Sequence, residues 1–128
     1  MRATVRDFLR CAILARGAGY GRVEIMGSKG YLINHFLVAR TNQRNDEYEG
    51  GRFANQMRLD MKIVRDTWEV CGPDYTIIFH LSLLDLVEDG IAWEEAKALA
   101  LALAQALGDA GVTILNTNIG WHAARIRE

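Results

Sequence analysis

The feature that most constrains the fold of this chain is an alternation of amphipathic helical segments with short apolar runs, repeated three times. In the first segment apolar residues recur at helical spacing, as at Val5, Phe8 and Ala12. The second segment carries an apolar stripe at Met57, Met61, Val64, Trp68 and Cys71. The spacing predicts helices near residues 3–16, 57–71 and 93–107 and strands near residues 22–26, 76–81 and 112–116. Strands that alternate with helices form a parallel sheet, so the sequence predicts an α/β fold.

Glycines mark the end of each predicted helix. The first group, Gly17-Ala18-Gly19-Tyr20-Gly21, superficially resembles a dinucleotide-binding glycine loop. Such a loop must leave a strand and open a helix, so that the pyrophosphate meets the helix N-terminus. Here the glycines lie between a helix and the next strand, and the final glycine spacing is missing. They are therefore interpreted as a helix stop.

Composition excludes several classes of partner. The 128 residues carry a net charge of −1, which gives no reason to expect nucleic acid or an anionic membrane surface as a partner. The apolar runs are too short to span a bilayer, and the N-terminus lacks a signal-peptide pattern, so we expect a soluble cytoplasmic protein. Cys11 and Cys71 stand apart without metal-ligand spacing, and we expect both to be buried, reduced thiols.

Four separated motifs follow one another along the chain. They are Gly30-Tyr31-Leu32-Ile33-Asn34, Thr41-Asn42-Gln43-Arg44, the segment from Leu81 to Gly90, and Ile119-Gly120-Trp121-His122 with Ala124-Arg125-Ile126. These motifs resemble those of the flavin-dependent old yellow enzyme family, and within it most closely the bacterial 2,4-dienoyl-CoA reductases. The resemblance covers nearly the whole chain.

The resemblance implies a partial (β/α)8 TIM barrel of about three αβ units with parallel strands, from the third helix to the sixth strand of the barrel. A complete barrel needs roughly 250 residues. We therefore expect residues 1–128 to be an internal piece of an FMN-binding barrel domain of an oxidoreductase. Because three strands cannot close a barrel, the edges of the sheet are left unpaired. We therefore expect the chain to associate into a homo-oligomer.

The resemblance gives Tyr31 and His122 catalytic roles. A phenol is protonated at neutral pH and can act as a general acid toward a carbon next to the one that receives a hydride. In the related reductases the tyrosine of this motif does so, and the histidine assists it by hydrogen bonding and proton supply. Without the motif, Tyr31 would be interpreted as a tyrosine closing a turn, and His122 as an exposed histidine. His35 is expected at the surface.

His80 is the candidate cofactor-binding residue, and it departs from the family pattern. The related flavoenzymes carry arginine near the end of this strand, where a permanent cation contacts the polar edge of the flavin. Histidine is shorter and is charged only when protonated. Met26 agrees with the dienoyl-CoA reductase branch, whereas Lys29 fits neither branch of the family.

Two functions follow from the resemblance. The first is part of an FMN-dependent ene-reductase that uses NAD(P)H to reduce an α,β-unsaturated acyl-CoA or a similar small-molecule enone. The alternative is a non-catalytic, self-associating α/β remnant of such an enzyme.

Arg44 and Asp46 are predicted to brace their loop. The loop after the predicted strand 76–81 carries Asp85, Glu88 and Asp89. We interpret them as exposed acidic residues and not as a set of catalytic carboxylates.

Overall fold

The structure is a computed structural model that describes residues 1–84 and 93–120. In chain order, its elements are α1 (Arg2–Gly17), β1 (Arg22–Gly27), α2 (Leu32–Leu37), α3 (Phe53–Gln56), α4 (Arg58–Cys71), β2 (Thr76–Leu84), α5 (Trp93–Asp109) and β3 (Ile114–Ile119). None of the helices in these ranges combines the length and the apolar character needed to cross a bilayer.

The three strands form one parallel sheet in the order β1-β2-β3. The register places Ile25 of β1 beside Phe79 of β2, and Phe79 beside Leu115 of β3. Each connection between consecutive strands includes a long helix, α4 or α5. The α/β fold with three parallel strands that the sequence predicts is therefore confirmed.

One face of the sheet supports the hydrophobic core. In β2, the alternate residues Ile77, Phe79 and Leu81 are almost completely buried, because successive side chains of a strand point to opposite faces. They belong to a single apolar cluster with side chains from the helices. The buried helical members of that cluster include Val5, Ile33, Phe36, Leu37, Leu59, Ile63, Val64, Leu103 and Leu107.

The buried stripe of α4 differs from the predicted one. Val64 and Cys71 are buried as expected, but Trp68 is 38% exposed. The buried positions of α4 are Leu59, Asp60, Ile63, Val64, Thr67 and Cys71. The helix is therefore rotated from the predicted orientation, and this rotation brings Asp60 and Thr67 into the core.

The third strand begins later than predicted, at Ile114 instead of residue 112. The reason is the way in which α5 ends. The Val112 amide still donates to the Leu107 carbonyl at 2.9 Å, and Gly111 has a φ of 109°, so these residues complete the helix C-terminus. The Thr113 amide then bonds to the Ile77 carbonyl at 2.8 Å and leads the chain into the sheet.

The first glycine group ends a helix, as predicted. The Gly19 amide donates to the Arg16 carbonyl, the Tyr20 amide donates to the Ala15 carbonyl, and β1 follows directly. The expectation for the cysteines is confirmed only for Cys71, which is buried and whose thiol pKa is raised by that burial. Cys11 is exposed, because the neighbouring Ala12 takes the buried position on α1.

Candidate functional site

Tyr31 lies at the carboxyl end of β1, where a tight turn leads into α2. The Tyr31 amide donates to the Ser28 carbonyl at 3.1 Å, and the turn places Lys29 at a φ of 57° and Gly30 at 77°. Left-handed backbone is uncommon for a residue other than glycine. Tyr31 is the N-cap residue of α2, and the residue is 52% exposed. The turn therefore leaves the phenol accessible at the edge of the sheet where α/β barrels carry their catalytic groups.

The turn before Tyr31 is fixed from the side of α2. The fully buried Asn34 accepts a hydrogen bond from the Gly30 amide through Oδ1 at 2.7 Å. The Tyr31 carbonyl accepts from the His35 amide at 3.1 Å, which forms the first helical turn. His35 itself is exposed, as predicted. The asparagine of the Gly30–Asn34 motif thus has a structural role in holding the turn.

A second anchor joins this turn to β2 and β3. The Lys29 amide donates to the Ser82 hydroxyl oxygen at 2.9 Å. The Ser82 hydroxyl in turn lies 3.4 Å from Asn118 Oδ1 and donates to it. Ser82 is only 4% exposed. These two bonds connect the carboxyl ends of all three strands.

The face of the sheet opposite the core carries a polar cluster. His80 of β2 is in register with Met26 of β1 and Asn116 of β3. The Asn116 side-chain amide donates to Glu24 Oε1 at 2.8 Å, and the same oxygen lies 3.4 Å from His80 Nδ1. The contact between Glu24 Oε1 and His80 Nδ1 is short enough for an ion pair, which forms only when the histidine is protonated. It does not meet the geometry of a hydrogen bond.

The position of His80 within its strand differs from the prediction. The sequence places it near the end of a strand that stops at residue 81, whereas β2 continues to Leu84. His80 therefore lies inside the strand, two residues before Ser82 and on the same face of the sheet. Two buried nitrogens on this face, His80 Nδ1 and Asn118 Nδ2, have no hydrogen-bond partner within residues 1–84 and 93–120. Buried polar atoms usually have a hydrogen-bond partner, so these two nitrogens are exceptions to the general pattern.

The loop between α2 and α3 is braced as predicted. The guanidinium of Arg44 pairs with both carboxylate oxygens of Asp46, and the Tyr48 amide donates to Asp46 Oδ1 at 3.0 Å. The bond from Arg44 and the bond from the Tyr48 amide lower the pKa of Asp46 to about 2. The Asn42 side chain also spans the loop, donating to the Phe36 and Tyr48 carbonyls at 2.9 and 2.7 Å.

Asp60 is a titratable residue that the sequence analysis missed. It lies in the first turn of α4 and is completely buried. Neither carboxylate oxygen has a hydrogen-bond partner among the described residues. Burial therefore raises the pKa of Asp60 well above its ordinary value. A signal was present in the sequence, since Asp60 shares a helical stripe with Ile63, Thr67 and Cys71.

The other candidates from the sequence lie outside the described residues. These candidates are His122 and the acidic residues Asp85, Glu88 and Asp89. The expected approach of His122 to Tyr31 therefore stays a prediction. In the part of the chain that the structure covers, no group of three or more His, Cys, Asp or Glu side chains is placed to hold a metal ion.

The fold and the site together define a class of protein. A parallel sheet with helical crossovers, whose polar side chains gather on one face and at the carboxyl ends of the strands, has the arrangement of an α/β-barrel enzyme. Residues 1–127 match the NADH:flavin oxidoreductase / NADH oxidase family, and the chain belongs to that family.

Individual relatives agree with this assignment. The chain is 39% identical over 116 residues to an NADH oxidase of Thermoanaerobacter brockii, covering 91% of this chain and 17% of that protein. It is 35% identical over 108 residues to 12-oxophytodienoate reductase 2 of Arabidopsis thaliana, covering 84% of this chain and 28% of that protein. The chain thus spans less than a third of the length of either relative.

Solved structures place the fold within a barrel. Morphinone reductase superposes with a TM-score of 0.82 at 30% identity, covering 99% of this chain and 33% of that one. A 2-naphthoyl-CoA reductase bound to 2-naphthoyl-CoA also gives a TM-score of 0.82, at 29% identity, covering 96% of this chain and 18% of that one. The structural neighbours include an old yellow enzyme homologue from Zymomonas mobilis. The fold is therefore a partial barrel of the old yellow enzyme type.

Proposed function

We propose that this chain forms the proton-donating part of an FMN-dependent ene-reductase that uses NAD(P)H to reduce an α,β-unsaturated acyl-CoA or a similar enone. The observation that carries the proposal is the placement of Tyr31. Its phenol is accessible at the carboxyl end of β1, on a turn that is bonded to the neighbouring strand through Ser82. Tyr31 donates the proton to the substrate carbon, and His122 assists it.

The substrate class is supported by two observations. The motifs around Tyr31 and His122 resemble those of the 2,4-dienoyl-CoA reductases. One of the similar structures is a reductase bound to an aromatic acyl-CoA, 2-naphthoyl-CoA. A nicotinamide reductant is supported by a similar structure of morphinone reductase in complex with tetrahydroNAD, which has a TM-score of 0.81.

The polar face of the sheet fits the polar edge of a flavin. Asn118 Nδ2 is a hydrogen-bond donor, and His80 Nδ1 is a donor when it carries a hydrogen. Both atoms are buried and lack a hydrogen-bond partner among the described residues, so they suit the carbonyl oxygens and ring nitrogens of a flavin. FMN, when bound, supplies the hydride chemistry. The residues of this chain hold its polar edge and deliver a proton.

The alternative function, a non-catalytic and self-associating α/β module, rests on the edges of the sheet. On β3, Ile114, Leu115 and Ile119 are each at least 36% exposed. Exposed apolar edge strands favour pairing with another chain. The two functions differ in a measurable way, because only the enzyme requires the Tyr31 hydroxyl.

The test is Tyr31→Phe in the intact protein that carries these residues. Removal of a general acid lowers the rate by about 10²–10⁴-fold, so we expect a loss of enone reduction in that range with unchanged flavin content. The matched control is Tyr20→Phe, since Tyr20 is exposed at the opposite end of the sheet, before β1. An undiminished rate in Tyr31→Phe would remove Tyr31 from the mechanism.

A further inference from the structure

We propose that Ser82 is a positioning residue for the Tyr31 loop, acting through its buried hydroxyl. The inference rests on the proposed function, because it concerns how the proton donor is held. Ser82 has no direct role in the proposed chemistry. It is placed on β2, at the level where the turn after β1 meets the end of β3.

The contacts of the Ser82 hydroxyl make it a junction between three segments. Its oxygen accepts from the Lys29 amide at 2.9 Å, which is an ordinary hydrogen-bond length. Its hydrogen is directed to Asn118 Oδ1 at 3.4 Å, a longer and weaker contact. Since the hydroxyl donates one bond and accepts the other, the turn, β2 and β3 are linked in one chain of hydrogen bonds.

The bond to Lys29 matters because of the backbone at that residue. Lys29 has a φ of 57°, a conformation that is uncommon for a side-chain-bearing residue and persists where its surroundings hold it. Lys29 is two residues before Tyr31, inside the turn closed by the bond from the Tyr31 amide to the Ser28 carbonyl. A change in the Lys29 conformation would therefore redirect the Tyr31 phenol.

The expected effect is on turnover more than on binding. A displacement of about 1 Å in a catalytic group can lower the rate by up to about 100-fold. We therefore expect Ser82→Ala to lower kcat by about 10-fold to 100-fold, with a smaller change in KM and unchanged flavin content. Ser82→Cys keeps a weak acceptor at the same place and is expected to give an intermediate kcat.

Ser28→Ala is the matched control. Ser28 is fully buried in the same turn, but its hydroxyl donates to Met26 Sδ at 3.1 Å and does not reach the neighbouring strand. Its carbonyl still accepts from the Tyr31 amide after the substitution. We expect Ser28→Ala to retain most of the wild-type kcat. A fall equal to that of Ser82→Ala would show that any lost hydroxyl in this turn is harmful, and would overturn the proposal.

A double-mutant cycle tests whether Ser82 acts through Tyr31. If it does, Ser82→Ala has little further effect on the rate once Tyr31→Phe has removed the proton donor. Independent and multiplicative effects of the two substitutions would contradict the proposal. Ser82→Cys provides the same comparison if Ser82→Ala folds poorly.

Hydrogen exchange of the Lys29 amide separates this inference from the proposed function. Because that amide donates to Ser82, its exchange in the chain should become faster in Ser82→Ala and stay near the wild-type rate in Ser28→Ala. An unchanged Lys29 exchange rate in Ser82→Ala would overturn the anchoring role. A wild-type protein without enone reductase activity would instead contradict the proposed function, and the exchange rates would still decide whether Ser82 holds the turn.

Discussion

Replacing Asp60 with asparagine is expected to remove a pH dependence from the stability of the chain. Asp60 is fully buried, and burial raises its pKa well above the ordinary 3.8. In the unfolded chain the carboxyl ionises near that ordinary value. Between the two pKa values the folded chain keeps a proton that the unfolded chain has released. The stabilisation is therefore complete below the unfolded pKa and is lost as the pH rises toward and through the folded pKa.

The magnitude follows from this proton difference. With one more proton bound in the folded state, the free energy of unfolding falls by about 1.4 kcal/mol for each pH unit between the two pKa values. In the structure, no hydrogen bond from another described residue to the carboxylate oxygens offsets this cost. An asparagine side chain has a similar shape and does not titrate. Asp60→Asn should therefore match the wild type at acidic pH and become the more stable protein as the pH rises.

The assay is urea denaturation of both proteins at several pH values from 4 to 8, with free energies of unfolding obtained by linear extrapolation. Glu69→Gln is the matched control, because it removes a carboxylate from the exposed part of the same helix, α4. The control should keep the wild-type pH dependence. Parallel pH profiles for the wild type and Asp60→Asn would refute the reasoning, since they would mean that Asp60 ionises in the folded chain as easily as in the unfolded one.

Three further predictions concern packing, cofactor affinity and assembly. Gly111→Ala should destabilise the chain by about 1–3 kcal/mol in urea denaturation, because Gly111 has a φ of 109° and an added Cβ would clash with Trp68 Cδ1. Gly108→Ala, in open space, should leave stability unchanged or raise it by up to about 1 kcal/mol. His80→Arg in the intact protein should tighten FMN binding, because arginine is a permanent cation. The affinity is measured by quenching of flavin fluorescence, and an equal or weaker affinity would count against a flavin contact at this position. Residues 1–128 by themselves should sediment as dimers or larger species, because the edge strands are exposed. They should also bind FMN weakly. A compact monomer, or a stoichiometric complex with FMN, would contradict these expectations.

The sequence predicts the order and type of the long elements because their apolar periodicities and glycine stops are local signals. The boundaries that differ depend on contacts between distant residues. Val112 has strand character in the sequence, yet its amide is held by the Leu107 carbonyl at the end of α5. The orientation of α4 was also decided outside the helix, because Trp68 packs near Gly111 and stays partly exposed.

The candidate site was predictable where it follows a continuous motif. The turn that carries Tyr31 could be recognised from Gly30 and Asn34, and the structure gives those residues bonds to each other. Ser82 stands in the motif that begins at Leu81, but that motif does not reveal its hydrogen bonds, since Ser82 lies 53 residues from Lys29 and 36 residues from Asn118 in sequence. Only the parallel register brings these residues to one level of the sheet.

That register also ties the stability of the sheet to its chemistry. In β2, Phe79 and Leu81 belong to the buried core, while His80 and Ser82 alternate with them on the opposite face. A shift of β2 by one residue would exchange the two faces, placing His80 in the core and Phe79 beside the polar cluster. Because the buried area of the apolar residues opposes such a shift, the core that holds the helices against the sheet also fixes the polar side chains at the level of the Tyr31 turn.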